Sequence, residues 1–339
     1  MSHNKIIQTQ PLEFQWEAED PFLFSAHHKD LYPAGNEEQG VDKELLKGRN
    51  IGADFELRDG FRMYHGTSVP GFPGHPHRGF ETVTIVLQGF VDHFDSTGAC
   101  GRYGEGDVQW LTTGSGCQHS EMFPLVYSDK PNPLELFQIW LNLPAKSKSA
   151  RPEYKMLWAE DIPVIEQMAV GGSKTRVRLI SGRLNGIDSL EPNSASWAKD
   201  KQNHVGIYLL HMEPGASFTL PAVSPTLNRN LYYYEGQSIE IDDVTIRNSQ
   251  RVKLAGDQEV NIKNGPHESH LLVLEGEPIG EPVAQHGPFV MNTRSEISEA
   301  FKEFQRTKYG GWQWGRYDPV HPRDAGRFAR HWDGRVEKR

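Results

Sequence analysis

The 339-residue chain has two cysteines, Cys100 and Cys117. That is too few for a disulfide framework and excludes a small secreted fold stapled by disulfides. No stretch approaches the ~18 consecutive apolar residues of a membrane span, so no membrane association is expected. Behind Met1-Ser2-His3-Asn4-Lys5 comes no apolar segment of the secretory kind. A cytoplasmic location follows as the expectation, or a nuclear one in a eukaryotic host. Positive charge is not in excess either: 36 Lys+Arg against 45 Asp+Glu leave a net −9. This opposes direct binding of the whole chain to a nucleic-acid backbone. Helical patterns of roughly 10–15 residues between strands are also missing, which excludes an alternating β/α sheet.

What the chain has is turns and short strands. Gly 33 and Pro 22 lie above the ordinary share but short of a low-complexity composition. Glu81–Gln88 is β-branched, meets Gly89, and resumes as Phe90–Phe94. Asp95-Ser-Thr-Gly98, Gly104-Glu-Gly-Asp107 and Gly114-Ser-Gly116 read as turns around strand-like Val108–Leu111. Leu134–Leu143 alternates as a further strand. Such spacing predicts an all-β antiparallel sandwich or barrel. The length suggests about two domains at roughly 150 residues each.

The second half resembles the first. Leu231-Tyr-Tyr-Tyr-Glu-Gly236 matches Thr84-Ile-Val-Leu-Gln-Gly89 in pattern, at an offset of 147 residues. The predicted organisation is a barrel over 1–145, a linker over 146–174, a second barrel over 175–290, an amphipathic helix over 291–310 and a basic extension over 311–339. The helix follows from Ile297, Ala300, Phe301 and Phe304 at helical spacing, with Asn292 or Thr293 as cap. Residues 316–339 carry seven Arg/Lys against four acidic residues. That stretch is expected to dock on the chain's own acidic surface or on a partner protein.

The chemistry concentrates in His75-Pro76-His77 and, 42 residues after His77, His119-Ser120-Glu121. In an extended strand residues i and i+2 point the same way. Each pair can therefore aim two ligands at one point. Together they supply three nitrogens and one carboxylate oxygen, a set suited to borderline divalent metals and less so to calcium. Unpaired polar side chains inside a small barrel would be costly, and one metal ion satisfies all four. On an octahedral ion two positions stay open for water, substrate or dioxygen. Other residues stay open at this point: Arg78 as anion-binding or salt-bridging, Glu81 as acceptor for a ligand imidazole unless a turn breaks the alternation, and His65 at a cavity mouth. Only one of Gln109 and Trp110 faces inward, and Trp110 is expected as plain core. Cys117, two residues before His119, is not expected to ligate.

His75-Pro-His-Arg-Gly-Phe-Glu-Thr-Val-Thr84, Asp107-Val-Gln-Trp110, Gly114-Ser-Gly-Cys-Gln-His-Ser-Glu-Met122 and Gly287-Pro-Phe-Val-Met-Asn292 resemble the signatures of the pirin family, bicupins of the cupin superfamily. The resemblance covers most of residues 15–310. It implies two antiparallel cupin (jelly-roll) barrels stacked face to face with a short C-terminal helix. It also implies one metal in the N-terminal barrel, commonly iron, with Ni, Cu, Mn and Zn as alternatives. Its ligands fall on His75, His77, His119 and Glu121. In the second copy the offset places Ala222 and Ser224 where the first has His75 and His77. A metal-free barrel is expected there, with His267 and His270 as surface or interface residues.

The family resemblance implies an enzyme of quercetin 2,3-dioxygenase type, an oxidoreductase cleaving a flavonol or related enolisable aromatic with dioxygen. Because the fourth ligand is a carboxylate, Glu121 is the candidate catalytic base, provided it loosens from the metal. Two other readings stand beside it: an iron-dependent, redox-responsive regulator acting through protein partners, and a cupin isomerase or decarboxylase. A monomer or small oligomer is compatible with each.

Overall fold

The computed structural model describes residues 5–339. The chain is all-β with one short helix, and it divides into two compact units. Among the described residues, one is built from 5–26 and 160–280, the other from 27–159 and 281–339. Neither is a contiguous stretch. The first strand of the chain pairs in the later barrel, and the last sixty or so residues return to the earlier one.

The 27–159 unit has two antiparallel sheets. One places Glu153–Leu157, Val108–Thr112, Phe80–Gln88, Asn132–Asn142 and Phe22–Tyr32 side by side. The other orders Val336–Lys338, Phe328–Arg330, Cys100–Gly104, Phe90–Asp95, Cys117–Met122 and Gly71–His77. A core of Val86, Val91, Tyr103, Leu111, Phe123, Leu136, Tyr154 and Trp158 fills the barrel.

The second unit repeats the plan. Ile6–Pro11, Gln250–Leu254, Asn228–Glu235, Ser269–Gly276 and Gly206–Met212 form its larger sheet with Lys174–Ser181 and Val164–Met168. Ser217–Leu220, Val260–Asn264, Ser238–Ile241 and Val244–Arg247 form the smaller. The repeated strand-Gly-strand pattern is real. Phe80–Gln88 turns at Gly89 (φ 77°) and Asn228–Glu235 turns at Gly236 (φ 136°), conformations that favour glycine. Phe218, Leu220, Val260 and Ile262 occupy the paired strands that correspond to the His75 and His119 strands, and all four join the apolar core.

The helix runs Arg294–Thr307 and is closed by a capping box between Thr293 and Glu296. It buries Ile297 and Ala300 and packs Phe301 and Phe304 against Phe289, Met291 and Tyr309.

Candidate metal centre

The Gly71–His77 strand pairs with Cys117–Met122, with Phe72 opposite Glu121, His75 opposite His119 and His77 opposite Cys117. A bulge between Phe72 and His75 inserts one residue and keeps these pairs on one face. Ligand donor atoms of His75, His77 and His119 lie within 4.8 Å of one another. Nε2 of His119 is 3.8 Å from Glu121 Oε2.

The hydrogen bonds fix which nitrogens are available. Nδ1 of His75 donates to the Pro73 carbonyl at 2.9 Å, and Nδ1 of His77 to the Pro288 carbonyl at 3.4 Å. Both Nε2 atoms then carry bare lone pairs, yet they stand 3.1 Å apart. Both ring nitrogens of fully buried His119 are without a hydrogen-bond partner. Protons do not relieve this crowding at neutral pH. Burial pushes His75 down to about 4 and drives His77 and His119 well below the ordinary imidazole value. A divalent cation accepting the lone pairs does relieve it. Metal–nitrogen bonds of about 2.0–2.1 Å place neighbouring ligand nitrogens about 3 Å apart. The residues present fit a divalent metal ion.

Glu121 forms the fourth side. Thr84 Oγ1 lies 3.1 Å from its Oε1, and Gln138 Nε2 donates to its Oε2 at 3.2 Å. Burial raises the carboxyl to about 6, against the lowering effects of His93, Thr84 and Gln138.

The motif glycine Gly79 has a packing reason. Its φ is +86°, and a Cβ there would sit 1.9 Å from the Val290 carbonyl oxygen. Lys148 Nζ, buried, donates to the carbonyls of Gly79 and Val290 and to Asn142 Oδ1. The late Gly287–Asn292 motif therefore packs against the turn that follows the histidine pair.

Residues 40–141 match the family described as Pirin, and residues 207–310 match the Pirin C-terminal cupin domain. The chain belongs to the pirin family. It is 36% identical to pirin of Homo sapiens over 256 residues, covering 74% of this chain and 81% of that protein. A pirin-like protein of Solanum lycopersicum is 35% identical over 289 residues, covering 83% of this chain and 91% of that one. Among solved structures, quercetin 2,3-dioxygenase from Acinetobacter baumannii is similar at a TM-score of 0.68 and 27% identity, covering 91% of this chain and 98% of that one.

Within this pirin-family barrel, several neighbouring residues find their places. Glu81 accepts from Thr112 Oγ1 at 2.6 Å, because the Arg78–Gly79 turn resets the alternation so that Phe80 and Thr84 face the site. Gln109 pairs with Thr84 in register and faces inward, while Trp110 pairs with Val83 on the opposite face. Arg78 forms a salt bridge to Glu303 on the helix. Cys117 lies opposite His77, but its sulfur contacts Ser96 and the Gln118 carbonyl. Burial raises its thiol far above the ordinary value, and both cysteines are free. His65 is exposed and anchored to the Gly52 carbonyl, with its ring 5.8 Å from Phe72.

Sequence reasoning passed over Thr84, Gln138 and His93. The polar Gln138 within the apolar Leu134–Leu143 run was the readable signal. His93 lies opposite Glu121, with its ring 5.6 Å from that of His119, and is held by Asp95 at 3.1 Å.

The basic tail docks on this same barrel. Phe328–Arg330 extends the sheet beside Cys100–Gly104, Arg327 pairs with Asp107, and Arg323 donates to the carbonyls of Leu125 and Val126. Among the described residues no helix is long and apolar enough to cross a membrane.

Proposed function

We propose that the protein is a metal-dependent dioxygenase of the quercetin 2,3-dioxygenase type, using iron and acting on a flavonol or a related enolisable aromatic. The observation that carries this reading is the 3.1 Å approach of the two bare Nε2 atoms of His75 and His77 beside His119. In this reading His75, His77, His119 and Glu121 hold the metal. The three-nitrogen, one-oxygen donor set favours a borderline metal over calcium. Bound there, the metal supplies Lewis acidity and the electron exchange that activates dioxygen.

The chain's own residues do the rest. Glu121, once released from the metal, takes the proton of the substrate hydroxyl next to the ring carbonyl as general base. Thr84 and Gln138 orient its two oxygens. Aromatic rings lead outward from the site: Phe72 lies 6.4 Å from His75, Phe55 is 6.4 Å from Phe72, and His65 is 5.0 Å from Phe55. They offer flat apolar faces to a flat aromatic substrate. Phe80 and Trp140, at 5.0 and 5.3 Å from His77, exclude water from the opposite side.

The test is oxygen uptake with quercetin by protein purified anaerobically and loaded with ferrous iron, with metal content measured alongside. Uptake is expected in the wild type and absent in H77A and E121Q. Uptake that survives both changes overturns the metal mechanism. Iron-loaded protein that never consumes oxygen with any flavonol overturns the dioxygenase and favours the isomerase or regulatory readings.

A further inference from the structure

The second barrel carries another group of metal-binding side chains, outside its apolar interior. His211 lies in the Gly206–Met212 strand and His270 in the neighbouring Ser269–Gly276 strand, directly opposite one another. Tyr208, Leu210 and Met212 of the first strand and Leu271 and Val273 of the second belong to the barrel core. Side chains alternate along a strand, so both histidines stand on the face away from that core. Their rings stack at 4.7 Å with an interplanar angle of 8°. Glu268, two residues before His270, places Oε1 3.0 Å from His211 Nε2. One donor atom from each of the three residues lies within 4.8 Å of the others. The group is open to water, with the His211 side chain 30% exposed and that of Glu268 60% exposed.

The arrangement reuses the logic of the first site with its order reversed. Glu268-Ser269-His270 is an i,i+2 carboxylate–imidazole pair, as His119-Ser120-Glu121 is, and histidine from the paired strand completes each set, His211 here and both His75 and His77 there. His267 is not part of this group. Two imidazoles on paired strands and a carboxylate just before the second strand thus bring three donor atoms within reach of one ion. Imidazole nitrogen selects zinc, copper or nickel over magnesium or calcium. Three protein ligands leave at least one coordination position to solvent, the mark of an exchangeable site.

We propose that His211, Glu268 and His270 form a second, solvent-open site for a divalent transition-metal ion of the zinc class. The site lies wholly within the 160–280 part of one unit and uses none of the residues assigned to the dioxygenase centre. Its failure and the failure of the function proposed above are thus separable.

The experiment titrates Zn²⁺ into full-length protein that carries no oligohistidine tag and has its first site already filled. Metal content is measured before and after. The expected result is one further equivalent of Zn²⁺ with the first metal retained. H211Q and H270Q should each weaken that uptake by more than about tenfold, while H267Q leaves it unchanged. Ca²⁺ in place of Zn²⁺ should give no further equivalent. The proposal is overturned if the wild type takes up no second equivalent, if uptake is unaltered in either variant, or if Ca²⁺ binds as well as Zn²⁺. The two histidine side chains lie outside the core, so unchanged thermal unfolding of the metal-free variants separates lost binding from lost folding.

Discussion

Gln138 Nε2 donates to Glu121 Oε2 at 3.2 Å, from the centre of a strand otherwise rich in buried apolar residues. Its own Oε1 lies 2.5 Å from Thr84 Oγ1, so the amide cannot flip without losing both contacts. The carboxylate that completes the proposed metal set is therefore aimed by a neighbour that itself binds no metal. Outer partners of this kind tune ligands by orientation. Q138L is expected to lower metal affinity by about 10–100-fold while leaving the fold intact. Competition with a chelator of known affinity checks it. Unaltered affinity would show that Glu121 is oriented by Thr84 alone.

Metal removal should weaken the barrel without unfolding it. The imidazoles of His75 and His77 are also held by their Nδ1 bonds to the Pro73 and Pro288 carbonyls, contacts that do not involve the proposed metal-binding nitrogens. A ligand that binds only the folded state raises its stability with concentration. Chelated protein should melt cooperatively at a lower temperature, and added ferrous ion should restore the melting temperature in a dose-dependent way. H119A should abolish that dose dependence. Calorimetry reads both.

Lys148 gives a pH prediction. Burial lowers its ammonium from 10.5 to about 8. The charged form is therefore costly in the folded state, and that cost is fully present below about 8. Between about 8 and 10.5 the unfolded chain binds more protons than the folded one, so the cost is relieved as pH rises. Stability of the wild type relative to K148M should increase across this window. Urea denaturation of both proteins at several pH values measures the difference. A constant difference would mean that Lys148 titrates normally.

Arg102 tests the docking of the tail. It is buried, grips Asp92 through Nε at 2.7 Å and Nη2 at 2.8 Å, and donates to the carbonyls of His321, Pro322 and Arg323. R102A leaves Asp92 buried without its partner, a change that costs about 3–5 kcal/mol. Denaturant unfolding should register that loss, and limited proteolysis should show faster cleavage within 316–339. An equally protected tail would place its anchoring in the Phe328–Arg330 pairing instead.

The strands, the repeat and the four proposed ligands were legible because their signals are local. Alternation along Glu81–Gln88, glycines at positive φ and i,i+2 histidine spacing all follow from geometry within a few residues. Glu81 shows where that reasoning stops. Its side stays open in the sequence, because sharing the face of His77 requires alternation to run unbroken through the Arg78–Gly79 turn. The helix was readable from its apolar face and its cap, and it is three residues shorter at each end than the predicted segment.

The sequence by itself determined which side chains can bind metal and which residues alternate on each strand. Only the tertiary structure decided what each pair faces. Register between distant strands put His75 opposite His119 and His211 opposite His270. The chain path sent residues 281–339 back to the barrel of 27–159, where Pro288 holds His77 and the basic tail meets its acidic partners. The physical reason is that strand periodicity is fixed by backbone sterics within a segment, whereas pairing is selected by the fit of whole faces far apart in sequence.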